Sequence, residues 1–191
     1  MALALGHKGL EVESVWISYD DRSPVERCSG QSLVPVVAFD DGAVVADSMQ
    51  IVKVLEERFP AAPLYPADFA GRARAMRFID WFNKVWKVAP NAIEAELSSV
   101  QPDVQRIDTL AEAKAGALVV FERMLEGRAY LLGDEFSAAH CAAYPFLEYA
   151  AWRDPQDDEL FHRVLDSLQQ LGDDHPRLKG WIERIDERPR V

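Results

Sequence analysis

The sequence predicts an α/β unit followed by an all-α unit, and three observations predict it. Residues 34–59 run strand, turn, strand and capped helix within one short stretch. Pro60, Pro63 and Pro66 then interrupt the chain, and closely spaced prolines prevent helix because each fixes φ and removes an N–H donor. After Asp68 almost every segment repeats its apolar residues at helical spacing. The boundaries expected from this are an N-terminal domain over residues 1–62 and a helical domain over residues 68–191.

Each element has its own warrant. Residues 1–8 are rich in Ala and Leu, both strong helix formers, and Gly9 supplies the left-handed stop. No N-cap residue precedes them. Residues 11–17 alternate loosely and read as a strand, residues 18–23 as a polar loop, and residues 24–32 as a short irregular helix. Val34, Val36 and Val37 are β-branched, so residues 34–39 read as a strand. Asp41-Gly42 is a two-residue hairpin turn that needs positive φ, and residues 43–46 return. Asp47 and Ser48 carry the side-chain oxygens of an N-cap, ahead of Ile51, Val52, Val54, Leu55 and Phe59 at helical intervals.

Asp68 caps the next helix, with a stripe of Phe69, Met76, Ile79, Phe82, Val85 and Trp86. Arg72, Arg74 and Arg77 fall on its other faces and read as solvated. Trp81, Phe82 and Trp86 read as core, with an apolar pocket wall as the functional alternative. Pro90 and Pro102 bracket a break holding a short helical piece over residues 92–97. Asp103 starts a long helix that Gly127 ends. Ser137 is the N-cap of a further helix, with Phe136 placed to pack against Cys141. Residues 160–171 and 178–185 close the chain as helices.

Composition bounds function. The chain has 191 residues, 49% of them hydrophobic and five of them Trp, which describes a folded core. A net charge of −11 repels nucleic-acid phosphates, and Arg72, Arg74 and Arg77 are too few to reverse that. Cys28 and Cys141 lie far apart, and His7, His162 and His175 show no ligand spacing, so neither a disulfide framework nor a metal site is expected. No apolar run reaches the roughly 20 residues of a membrane span. A reducing cytoplasm fits this cysteine usage.

Two features reach beyond structure. Pro35 sits early in a strand, where it marks either an edge or an unusual backbone, such as a cis bond beside a ligand. Asp47-Ser48 opens a helix whose free N–H groups suit a carboxylate. The order Val34-Pro35, Asp41-Gly42, Asp47-Ser48, helix, Arg58-Phe59-Pro60, then Leu64-Tyr65-Pro66, resembles the glutathione S-transferase family. The resemblance implies a thioredoxin-like N-terminal domain and a glutathione S-transferase-type helical bundle. It implies a cis Pro35, with the Val34 backbone pairing with the cysteinyl backbone of glutathione. It implies that Asp47 and Ser48 hold the γ-glutamyl end. It further implies transfer of glutathione to a hydrophobic electrophile by a cytoplasmic homodimer.

The resemblance also implies departures. Residues 2–9 line up with the end of the family's first helix and residues 12–17 with its second strand, so the first strand and the loop after it are expected to be missing and the thioredoxin-like domain incomplete. That leaves residues 12–17 without a neighbour on one side, at about 1–3 kcal/mol for each orphaned polar group. The family's catalytic Ser, Tyr or Cys lies in the same loop, so the catalytic residue of this chain is unknown. Cys28, Ser29, Ser32, Ser14 and Ser18 do not match its position. His140 stands where the family's helix carries Asp. A neutral imidazole nitrogen can accept the N-cap amide and an imidazolium cannot, so His140 is expected neutral, in a weaker cap. Two other readings follow. One is a non-catalytic binding protein of this fold. The other is a glutathione-dependent isomerase, dehalogenase or β-etherase relative, for which Ser29-Gly30-Gln31 before Leu33-Val34-Pro35 is the cue.

Overall fold

A computed structural model describes residues 1–18, 20–114 and 116–191. Tyr19, in the loop expected over residues 18–23, and Ala115, in the long helix expected from Asp103, lie outside the described residues. The chain divides into two compact units. One comprises Met1–Pro66 with Arg188–Val191, and the other Ala67–Glu187.

The first unit is built on a hairpin, β1 (Val36–Ala38) and β2 (Val44–Ala46), paired antiparallel with Val37 opposite Val45. Three helices accompany it: α1 (Ala2–His7), α2 (Ser23–Ser29) and α3 (Ser48–Arg58). Leu3, Ala4 and Leu5 of α1 are buried, as are Ile51, Val52 and Leu55 of α3, and the two helices touch. Gly9 has φ 64°, the left-handed stop its position predicts. Lys8 ties the ends together. Its ammonium donates to Glu56 Oε2 at 2.8 Å and to the Phe59 carbonyl at 2.7 Å. Gly6 is required by the chain end, because a Cβ there would collide with the Pro189 carbonyl.

The strand expected over residues 11–17 is absent. Residues 10–18 have no regular structure, and Val15 and Trp16 are 71% and 84% exposed. A strand needs a neighbour to take its ladder hydrogen bonds, and among the described residues the sheet has only β1 and β2.

The second unit is helical: α4 (Phe69–Trp81), a π-helical turn (Phe82–Trp86), α5 (Val88–Leu97), α6 (Val104–Lys114), α7 (Leu118–Met124), α8 (Ala138–Leu147), α9 (Leu160–Leu168) and α10 (Pro176–Asp186). Asp68 caps α4 by accepting the Gly71 N–H at 2.8 Å. Two expectations change here. The piece between the prolines starts at Val88, with Pro90 inside its first turn. The long helix from Asp103 is two helices, broken near Gly116 at φ 74°. Helix α8 buries Ala138, Ala139, His140, Cys141, Ala142, Ala143, Tyr144 and Leu147, so it is apolar all round, as a central helix must be. No helix among the described residues is long and apolar enough to cross a membrane.

Candidate functional site

The hairpin register brings the two sequence signals together. Val36 pairs with Ala46 as the last pair of the ladder, so Val34-Pro35 leads into one strand and Asp47-Ser48 leads out of the other. All four lie at the open end of the hairpin, away from the Asp41-Gly42 turn. The Val34–Pro35 bond is cis. Val34 is 51% exposed, and its backbone N–H and carbonyl make no hydrogen bond among the described residues. Gln31 holds the approach: its Nε2 donates to the Leu33 carbonyl at 2.7 Å and its Oε1 accepts the Leu33 N–H at 2.6 Å.

Across the hairpin the Asp-Ser pair divides its labour. Asp47 is the N-cap of α3, and its Oδ1 accepts the Met49 and Gln50 N–H groups, each at 3.0 Å. Its backbone is unusual, with φ 72° and ψ 125°. Such a conformation costs a non-glycine residue about 1–3 kcal/mol and gathers at ligand sites. Ser48 is then the first helical residue, and its hydroxyl and N–H have no partner among the described residues. A free O–H and a free N–H at the positive end of an 11-residue helix suit a carboxylate. The Asp47 carboxylate, spent on the cap, holds the turn that aims Ser48. At the opposite end Asp41 accepts from Ala43 N–H at 3.0 Å and from Arg58 Nη1 at 2.7 Å, and both hold its carboxyl below the usual carboxylate range.

Other side chains have structural roles. Cys28 is exposed on α2, and Ser29 donates to the Val25 carbonyl at 2.9 Å within the same helix. Phe82 and Trp86 are core, 0% and 4% exposed, with their rings stacked at 4.5 Å. His140 is fully buried and closes a capping box on α8. Ser137 N–H approaches Nδ1 at 2.8 Å and Leu131 N–H approaches Nε2 at 3.2 Å. A neutral imidazole has one lone-pair nitrogen, so the ring can accept from one of these two donors at a time. Asp157, Glu159 and His162 bring potential metal-ligand atoms within 4.8 Å of one another. The two His162 nitrogens already face Asp157 at 2.6 Å and Glu159 at 3.2 Å, which accounts for the cluster without an ion.

Sequence reasoning missed four residues. Gln31 and Lys8 shape the first unit through contacts to backbone carbonyls that no local pattern marks. Glu122 is buried and accepts the Leu178 N–H at 2.8 Å, so it caps α10 from another helix. Lys114 is buried without an acidic partner among the described residues.

Comparisons with known proteins bear on the family and the fold. Residues 1–63 match the glutathione S-transferase N-terminal domain, and residues 86–189, more than half of the chain, match the C-terminal domain. The chain belongs to the glutathione S-transferase family. Among its relatives is the FtsZ-localized protein A of Caulobacter vibrioides, 26% identical over 182 residues, spanning 86% of this chain and 80% of that protein. A solved glutathione S-transferase of Methylobacterium radiotolerans, in complex with glutathione sulfonate, is 26% identical with a TM-score of 0.73. It covers 98% of this chain and 84% of its own. FzlA from C. crescentus shares the fold at 24% identity and a TM-score of 0.74, over 98% of this chain and 82% of its own. The family fold, a small sheet unit with a helical unit, is the one found here.

Proposed function

We propose that this chain binds glutathione at the open end of the β1–β2 hairpin and presents its thiol to a hydrophobic electrophile. The observation that carries this reading is two unpaired sets of groups flanking the open end of one hairpin, the Val34 backbone and the Ser48 hydroxyl with its N–H. Val34 supplies one donor and one acceptor, which an extended peptide backbone matches. Ser48 and the α3 terminus supply donors for the γ-glutamyl carboxylate. Pro35 shapes the bend between them, and Asp47 holds the cap. Glutathione brings its own nucleophile, so the protein's contribution is binding and orientation. The sulfur is reactive as thiolate, which attacks an electrophilic carbon while the leaving group departs. In this reading residues 1–62 form the thiol-binding domain, residues 68–191 form the helical domain, and the working unit is a cytoplasmic homodimer.

The test is calorimetric titration of glutathione into the wild-type chain and Ser48→Ala. Losing hydrogen bonds to a charged group, at about 1.5–3 kcal/mol, weakens binding by roughly tenfold to a hundredfold. Equal affinity in the two proteins would contradict the assignment. A second reading is a binding protein of the same fold. It is favoured by the name of the FtsZ-localized relative. Glutathione binding without turnover of electrophiles, isomerase substrates or aryl ethers would select it.

A further inference from the structure

The junction between α4 and α5 contains a backbone acceptor that its own helix cannot satisfy. In the π-helical turn Lys87 N–H donates to the Phe82 carbonyl at 3.0 Å. The next helical bond should run from residue 90 to the Trp86 carbonyl, but residue 90 is proline and has no N–H. The missing donor comes from α6: Lys114 Nζ lies 2.7 Å from the Trp86 carbonyl. The same nitrogen sits 3.5 Å from the centre of the Trp86 ring, within cation–π range. Lys114 is only 7% exposed, and no carboxylate accompanies it among the described residues. A buried lysine without a counter-ion is rare. A π-turn is also an uncommon device, frequent at functional positions.

We propose that Lys114 is a proton-dependent brace on the α4–α5 junction: its ammonium form holds the Trp86 carbonyl and indole face, and its neutral form releases the indole. The neutral amine still donates to the carbonyl, but without charge assistance or attraction to the ring. Burial pushes the Lys114 ammonium down to about 7, so both forms are populated near neutral pH. The charged groups on the neighbouring elements are otherwise engaged or too far to act on it. Lys84 pairs with Asp80, Lys87 lies over Phe146, and Glu96 pairs with Arg106. Glu94 interacts with Glu159 and His162. Burial alone is what lowers Lys114.

The experiment is an NMR titration of the full chain, labelled at lysine Cε and tryptophan Nε1, from pH 5.5 to 10. Lys114→Arg and Trp86→Phe assign the two resonances. The brace predicts that Lys114 Cε titrates with a midpoint near 7. The Trp86 indole signal moves with the same midpoint. In Lys114→Met the Trp86 signal becomes independent of pH over this range. A Lys114 midpoint near 10 would overturn the proposal. So would a Trp86 signal that ignores the Lys114 titration. If Lys114→Met does not fold, the wild-type co-titration decides alone.

Discussion

Replacing Lys8 with Met should cost the first unit about 3 kcal/mol. The Lys8 side chain is fully buried and that of Glu56 is 12% exposed, with 2.8 Å between their charged atoms. Removing one partner of such a pair strands the other, at about 3–5 kcal/mol. Glu56 keeps the Leu64 and Tyr65 N–H groups, at 3.0 and 3.4 Å, and some access to water, which places the expected loss at the lower end. Urea unfolding followed by far-UV circular dichroism reads the change. Adding Glu56→Gln to Lys8→Met should then cost under about 1 kcal/mol, because the stranded charge is gone. Acid provides a second readout. Burial raises the Glu56 carboxyl, but the Lys8 ammonium and the Leu64 N–H outweigh it and hold the group below its usual 4.5. A carboxyl lowered by folding contributes stability above its unfolded value and loses it as the pH falls further. The wild-type chain should therefore weaken below about pH 4.5, and Lys8→Met should show less of that slope. A Lys8→Met loss under about 0.5 kcal/mol, or costs that simply add in the double variant, would refute the pairing argument.

Further outcomes follow from other residues. Asp47→Ala loses the cap and keeps the positive φ, so it should cost about 2 kcal/mol, whereas Asp47→Gly relieves the backbone and should cost less than half of that by the same unfolding assay. His140→Phe preserves the packing against Phe136 and Trp181 but leaves a buried backbone N–H unpaired, and the melting curve should report about 1–3 kcal/mol. Gly6→Ala should displace residues 188–191, seen as faster amide exchange there, since the added Cβ meets Pro189 backbone. Because burial lowers Lys114, the unfolded chain binds that proton more readily between pH 7 and 10.5, so stability should rise with pH across that window and Lys114→Met should flatten the rise.

Much of the candidate site could be read from the sequence because its signals are local. Asp41-Gly42 sets the turn, and the turn sets a register that ends at Val36 and Ala46, next to the two motifs. Asp47-Ser48 named the right helix start, although which residue caps and which stays free depends on a φ of 72° at Asp47 that no residue type announces. Residues 11–17 failed for the opposite reason: strand propensity resides in the residues, but a strand requires a neighbour. The break at Phe82–Trp86 carries no Gly or Pro, so periodicity runs straight through it. Lys114 reads as a solvated residue at a helix end until the fold places Pro90 and Trp86 beside it.

A glutathione site at the open end of the hairpin is tested most directly by amide chemical shifts recorded during a glutathione titration of the wild-type chain. Glutathione bound there should give saturable shifts at the amides of Val34, Ser48 and Met49, with the helical unit's α6 and α9 unmoved. Saturable shifts confined to other residues, or no shifts at millimolar glutathione, would contradict it.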